Sequence, residues 1–500
     1  MNLPLLAAGP VLLVLAVLCC RTAVRIAKLR KDVAARQGTV ALLHRLARSP
    51  GPGAEAAAVQ RMRRVEEGLA GGFPGSAVDD ARKVAAAREL PVADRLALIR
   101  SVAAWQRLDE QASARPARAE FDVLVISHFG LPGGTTSANE AEIKSWHEHG
   151  LKLGLLHHPV YAWGPNAPIH PRIQALVDAG AATLVDRDAE VECALALVRL
   201  PIVMTTPLER RPAVTAARTA VLVNQTPYRF YGDTGPREHA WDIATVARNV
   251  EEWLGRPTWF AGGPLVLAAL RRHHAAEIAA LDLAAEPWTE TIDVADWRLP
   301  ARRAGDGRIR IGRHSRDHEL KWPEDPAVLL QCYPDADPFD VHVLGGAAAP
   351  ARVLDRLPAN WTVHEFNVMT AREFLSRIDL MVYFIASDGL EAFGRAPLEA
   401  MAAGVPVIMD PRFEPTFGPA AVYCAPADVA ATATRLATDP VAYAAQQAAA
   451  WDHLERHCSP RALMERLSRC APVGSPRQRT SSPEPSGDRH RVPAGVDDRG

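Results

Sequence analysis

Residues 388–409 read DGLEAFGRAPLEAMAAGVPVIM, and few backbones accommodate that order of residues. The apolar run Leu380–Ile385 before it has the composition of a buried strand, and the polar, glycine-containing stretch Ser387–Gly394 breaks that strand in a turn. Pro397 suits the start of a helix, where a missing N–H costs nothing, and Leu398–Ala403 are mostly good helix formers. Gly404 caps this short helix, and Val405–Met409 reads as the next buried strand. Strand, turn, helix and strand in so few residues is the repeating unit of a parallel α/β sheet. Glu391 precedes the turn and Glu399 lies in the first turn of the helix, so both carboxylates stand near a positive helix end that receives phosphate readily. The blander account is that Glu399 complements the helix dipole and Glu391 is a solvated loop residue.

A second unit of the same kind opens at Phe121–Ser127, FDVLVIS. The turn HFGLPGGTT follows, then a helix over Ser137–His149 ended by Gly150, then the strand Leu151–Leu156. In doubly wound sheets ligands bind beyond the carboxyl ends of the strands, and Gly133 and Gly134 let the backbone approach one closely there. The turn lacks G-x-G-x-x-G, so it carries no dinucleotide fingerprint. The sheet is expected to continue through Ala182–Val185, Leu200–Met204, Ala220–Asn224 and, after a helix over Ala240–Leu254, Thr258–Ala261. Thr289–Arg303 reads as the passage to a second half. There the strand Arg308–Ile311, the cationic turn GRHSRDHELKWPED, a helix over Asp325–Tyr333 and the strand Asp340–Leu344 repeat the pattern. Thr362–Phe366 and the helix Ala371–Ile378 lead back to the opening stretch, with Asp379 as a helix-end or turn residue. Beyond Met409, Ala421–Cys424 and the helices Asp428–Ala437 and Val441–Cys458 complete the half, and Pro460–Cys470 is expected to cross back to the first.

A formal net charge of -1 gives no global reason to expect nucleic acid as a partner. The 7 cysteines show no C-x-x-C spacing or paired framework, which argues against a zinc site and a disulfide scaffold and for a reducing compartment. Leu3–Cys20 is an uncharged apolar run at the short end of what a membrane-spanning helix needs. No Lys or Arg precedes it and no clear A-x-A site follows, so an anchor is expected, with a cleaved signal peptide as the alternative. Arg21, Arg25, Lys28, Arg30, Lys31 and Arg36 all follow the run, so the body should face the cytoplasm. Residues 23–118 read as an Ala-rich helical stem, and the Pro, Ser, Arg and Asp content of 471–500 cannot build a core, so that tail is expected to be disordered.

EAFGRAPLEAMAAGVPVI closely resembles the E-x7-E signature of the retaining GT-B glycosyltransferases of family 4. The resemblance runs from about Phe121 to Ser468 and implies two facing Rossmann-like domains, here 119–290 for the acceptor and 291–470 for the donor, after an anchor over 1–22 and the stem. It implies a nucleoside diphosphate sugar as substrate, no metal and no cofactor, and a glycan or lipid-linked envelope acceptor. By the same resemblance Glu391 addresses the sugar, Glu399 the ribose, and Arg313 with Lys321 the diphosphate, helped by the backbone near Phe393 and Gly394. The Gly133–Gly134 turn matches the family's Gly-Gly loop. Two departures stand out. The family's Lys usually falls five residues after the Arg, which here is His318. Several members also carry a His where VLVNQTPY has Asn224 and Gln225, while His128, His157 and His158 fall at other strand ends. Two other readings remain open: a non-catalytic module that binds a sugar nucleotide or scaffolds envelope assembly, and a sugar-nucleotide epimerase.

Overall fold

The computed structural model describes residues 54–87, 90–112, 117–232, 235–300 and 307–471. Its first sheet contains β1 (Arg118–Ser127), β2 (Leu153–His157), β3 (Thr183–Leu184), β4 (Glu190–Arg199) and β5 (Ala213–Val223). After the separate antiparallel hairpin β6 (Tyr228–Gly232) and β7 (Gly235–His239), β8 (Thr258–Ala261) and β9 (Asp282–Leu283) complete that sheet. The order is β3-β2-β1-β4-β5-β8-β9, with every neighbour parallel. The second sheet contains β10 (Ile309–His314), β11 (Phe339–Leu344), β12 (Trp361–His364), β13 (Leu380–Tyr383), β14 (Val407–Met409) and β15 (Val422–Tyr423). It too is wholly parallel, in the order β12-β11-β10-β13-β14-β15. These are two Rossmann-like units, as in a GT-B fold. The continuous apolar runs of β1 and β13 are explained by helices covering both faces of each sheet, which leaves their central strands no polar side.

Strand β4 was not expected. Leu200–Met204, read as a strand from its apolar letters, is instead a 3-10 turn beginning at Pro201, whose missing N–H cannot join a ladder. The ladder runs through Glu190–Arg199, where Glu190 and Glu192 disguise the strand; its last five residues are buried. The register sets Ile126 beside Val198, so Ser127 and Arg199 end side by side at the carboxyl edge of the sheet. The helix Pro460–Cys470 does return to the first unit, where Leu463 and Leu467 are fully buried among Leu195, Leu197 and Trp288.

Three helices, Ala54–Gly71, Pro74–Ala86 and Val92–Ala112, precede the first sheet and pack around Met62, Val65, Val84 and Leu98. They dock on the first unit. Phe73 is fully buried with its ring 5.2 Å from Tyr161, whose hydroxyl donates to Asp80 at 2.8 Å. The expectation of a transmembrane anchor, with the membrane attachment and cytoplasm-facing placement built on it, is corrected: among the described residues no helix is long and apolar enough to cross a membrane. The described N-terminal helices are too charged for it, with Arg61, Arg63, Arg64, Glu66 and Glu67 in the first alone. The run Leu3–Cys20 and the tail 472–500 lie outside the described residues.

Beneath the carboxyl edge of the first sheet sits a buried ion pair. Arg199 Nη2 lies 2.7 Å from Glu142 Oε1, both side chains 2% exposed. Arg199 also donates to Asn139 Oδ1 at 3.2 Å, and Trp288 Nε1 donates to Glu142 at 3.1 Å. Removing one partner strands the other charge in a low-dielectric interior. Glu142→Ala should therefore lower the unfolding free energy by about 3–5 kcal/mol in urea denaturation, and Glu142→Ala with Arg199→Met by distinctly less; equal losses in the single and double variants would show that the pairing contributes little.

Candidate functional site

The helix after β13 begins at Arg395, two residues before the expected start, because Gly394 takes φ +112° and turns the chain into it. Pro397 thus sits in the first turn, where N–H groups have no intrahelical acceptor. Gly404, at φ +83°, ends the helix, its N–H directed to Ala400 and Met401 carbonyls. This short, buried helix presents its positive end to the loop that carries Glu391.

Glu391 is held from two sides. Tyr383 at the end of β13 donates its hydroxyl to Glu391 Oε2 at 2.7 Å, and Lys321 forms an ion pair with the same oxygen. Burial pushes the Glu391 pKa up, but Lys321, Tyr383 and the nearby Arg313 outweigh it and keep the carboxylate below its ordinary range. Burial, reinforced by the Glu391 charge, drives the Tyr383 phenol well above its usual pKa, so it remains a donor. Lys321 arrives on a 3-10 turn, Glu319–Lys321, started by His318, whose Nδ1 accepts from Leu320 N at 3.2 Å. His318 is exposed and committed to that turn.

Arg313 does not lie in an open turn, because β10 extends through it. It is 0% exposed, with its guanidinium 4.6 Å from the Trp322 ring centroid and 4.5 Å from that of Tyr383. It donates to Tyr333 Oη at 2.9 Å and to the Phe384 carbonyl at 2.8 Å. Arg313 thus underlies the loop as a buried charge. Arg316, three residues on, is exposed and faces the other lobe: its Nε is 3.6 Å from where a Cβ on Gly133 would stand.

Glu399 is buried between two donors from different elements. His314 Nε2 lies 3.0 Å from its Oε2, and Arg395 Nε 2.9 Å from its Oε1. Burial raises the Glu399 pKa, but His314 and Arg395 together more than offset this and keep it ionised. Arg395 continues to the Thr291 carbonyl at 2.8 Å and to Glu290 at 3.5 Å, on the segment joining the lobes. Burial pushes the Glu290 pKa up to about 7, Arg395 and Arg199 only partly opposing it while Glu391 and Glu399 add to it.

The two lobes meet around this helix. Gly134 lies against Arg395, a Cβ there falling 3.7 Å from the Arg395 Cβ, and a Cβ on Gly263 would fall 2.3 Å from the Ala392 carbonyl oxygen. From the hairpin, Tyr231 N donates to the Asp388 carbonyl at 2.8 Å and Arg237 pairs with the Asp388 carboxylate. Gly133, Gly134, Lys321, Glu391, Glu399 and the Phe393–Gly394 backbone thus come together. The Phe393 side chain itself is 2% exposed and packs 5.3 Å from Phe417.

His314, Arg395, Tyr383, Glu290 and Arg316 were missed as site residues. Arg395 was legible as the i−4 partner of Glu399; the others depend on strand register and lobe apposition. Of the other histidines, His158 Nε2 accepts from Leu208 N at 3.3 Å and His157 Nδ1 from Phe129 N at 3.1 Å. Burial lowers their pKa values to about 3 and about 4, so both are neutral packing residues, and burial likewise lowers that of His128. Among the described residues no cluster of three or more His, Cys, Asp or Glu could hold a metal ion.

No family model and no curated protein matches the sequence. Solved structures are similar in backbone. Anabaena Alr3699/HepE in complex with UDP-glucose is 11% identical with TM-score 0.46, covering 70% of this chain and 98% of its own. A glycosyltransferase from Rickettsia africae is 11% identical with TM-score 0.48, covering 72% and 99%. WaaG, a glycosyltransferase involved in lipopolysaccharide biosynthesis, is 12% identical with TM-score 0.44, covering 70% and 99%. Likenesses this low carry no functional weight; the strand order and side chains above do.

Glu290 supplies a pH signature of this arrangement. Its folded pKa, about 7, exceeds the ordinary 4.5, so its contribution to stability is present below the ordinary value and lost as pH rises through about 7. The unfolding free energy of the wild type relative to Glu290→Gln should decline between pH 4.5 and about 7 and level off above; a difference flat across that window would contradict the buried, raised carboxyl.

Proposed function

We propose that this protein transfers a glycosyl unit from a nucleoside diphosphate sugar to an acceptor hydroxyl with retention of anomeric configuration. The observation that supports this best is the convergence of Glu391, Lys321 and Glu399 on the amino end of the helix Arg395–Ala403, opposite the Gly133–Gly134 turn. In this reading residues 291–470 hold the donor, and residues 119–290 present the acceptor, a glycan or lipid-linked glycan.

Breaking the bond between the anomeric carbon and the diphosphate leaves negative charge on the departing phosphate, while the acceptor oxygen bonds to that carbon and its proton passes to the phosphate. Fixed charge aimed at the departing group lowers the barrier because it stabilises the transition state more than the ground state. Lys321 and the free N–H groups at Gly394 and Arg395 would do so. We assign the second cation at the diphosphate to Arg316 rather than Arg313. Arg316 is exposed in the cleft and precedes Lys321 by the five-residue spacing that Arg313 lacks, whereas Arg313 is sealed below and adds only to what Lys321 and Tyr383 do in lowering the Glu391 pKa. Glu391 would orient the sugar hydroxyls, and Glu399 would accept from the ribose hydroxyls.

One observation favours a second reading, a module that binds the sugar nucleotide without turning it over: β5 is followed by Asn224 and Gln225 rather than a histidine that could serve as an acid or base, and Asn224 Oδ1 is buried without a hydrogen-bond partner among the described residues.

A panel of nucleotide sugars, assayed for thermal stabilisation and nucleoside diphosphate release, separates the two. Turnover of at least one donor is expected, with Lys321→Ala lowering it by roughly a hundredfold, as for losing one preorganised charge at a developing anion. Glu391→Gln should lose turnover with nucleotide affinity kept, Glu399→Gln should weaken affinity, and His318→Ala should be mild. Binding without turnover would favour the non-catalytic module, and equal, negligible effects of both Glu substitutions would remove the site assignment.

A further inference from the structure

His314 and Arg313 end the same strand, and alternation sends their side chains to opposite faces of the sheet. Arg313 enters the core of Trp322 and Tyr333, while His314 meets Phe374 edge-on at 5.9 Å and reaches Glu399. His314 is only 8% exposed. Glu399 is ionised and therefore only accepts, so the proton in the 3.0 Å contact belongs to His314 Nε2. The contact thus fixes Nε2 as the donating nitrogen and directs Nδ1 away from Glu399. Nδ1 is buried and has no hydrogen-bond partner among the described residues. A histidine placed there for packing alone would bury that polar nitrogen unmet at a cost in stability with nothing gained from it.

Arg395 occupies the other carboxylate oxygen through its Nε. The carboxylate is thus gripped from two elements, β10 and its own helix, and these two donors among the described residues take two of its roughly four acceptor positions. Neither grip alone would fix the plane of the carboxylate; two donors on different oxygens do.

We propose that His314 is a positioning residue for nucleotide recognition: by donating Nε2–H to Glu399 it holds that carboxylate in the orientation that accepts the ribose hydroxyls of a nucleoside diphosphate. The inference rests on the donor-site reading above and adds to it a residue that determines affinity without reacting. His314→Leu removes the donor but keeps an apolar side chain against Phe374. His314→Gln restores an N–H at nearly the same reach.

The test is titration calorimetry of the full chain with uridine, guanosine and adenosine diphosphates, followed by the 2′-deoxy and 3′-deoxy forms of whichever binds best, alongside steady-state kinetics with the corresponding donor. His314→Leu should weaken the ribonucleotide about tenfold, the size of one hydrogen bond to a charged group. It should raise KM with kcat nearly unchanged, and His314→Gln should restore affinity to within about threefold of wild type. The wild type should lose affinity when the relevant ribose hydroxyl is deleted, and His314→Leu should lose little more. If His314→Leu responds to hydroxyl deletion as strongly as the wild type, or His314→Gln is as impaired as His314→Leu, the positioning role is overturned while the donor site stands. If the wild type binds none of the three diphosphates, the donor-site reading falls and takes this inference with it.

Discussion

Two carboxylates at the amino end of one short helix, Glu399 buried and Glu391 half-buried, set the terms for everything around them. Desolvation raises the pKa of both Glu391 and Glu399, and dedicated donors more than offset it. Lys321 and Tyr383 serve the first, His314 and Arg395 the second. Those donors come from β10, the turn after it, β13 and the helix itself, which fixes how the central strands of the second sheet must be ordered. The positive helix end adds to the same field. Such a cluster has its dipoles in place before a ligand arrives, which is what stabilisation of a departing anion needs.

The pairing also reaches across the molecule. Arg395 binds Glu399 on one side and the Thr291 carbonyl and Glu290 on the other, while Arg466, from the helix that returns to the first lobe, donates to the Thr289 carbonyl at 3.1 Å. The segment joining the lobes is therefore tied to both the helix Arg395–Ala403 and the C-terminal helix. Glycine makes the facing surfaces close: any side chain at Gly263 would collide with the Ala392 carbonyl, and Gly133 adopts a left-handed φ of +93° beside Arg316.

Much of this was legible in the sequence where local chemistry decides structure. The order of strand, glycine turn and helix around Glu391 and Glu399 follows from residue types, and so do the Gly133–Gly134 turn and the strands that flank it. What was not legible depends on contacts distant in sequence. Apolar letters favoured Leu200–Met204 as a strand, but Pro201 starts a 3-10 turn and the strand lies in the acid-containing Glu190–Arg199. The extension of β10 through Arg313 and His314, which buries the first and delivers the second to Glu399, is set by pairing with β11 and leaves no local mark. The hairpin of β6 and β7, which meets Asp388 across the lobes, was not expected. The membrane anchor was inferred from the apolar run Leu3–Cys20 and its flanking residues, which lie outside the described residues, and no described helix bears it out.

Under the proposed function, the phosphates of a nucleoside diphosphate would lie between the helix Arg395–Ala403 and the Gly133–Gly134 turn. A crystal structure of the protein soaked with the tightest-binding nucleoside diphosphate tests this most directly. The account predicts phosphate density within hydrogen-bonding distance of Lys321 and the Gly394 and Arg395 amides, with the ribose hydroxyls on Glu399. Density at the opposite end of the first sheet, in the cavity of about 840 Å³ lined by Arg218, Arg256 and Trp288, with the helix end left unvisited, would contradict it.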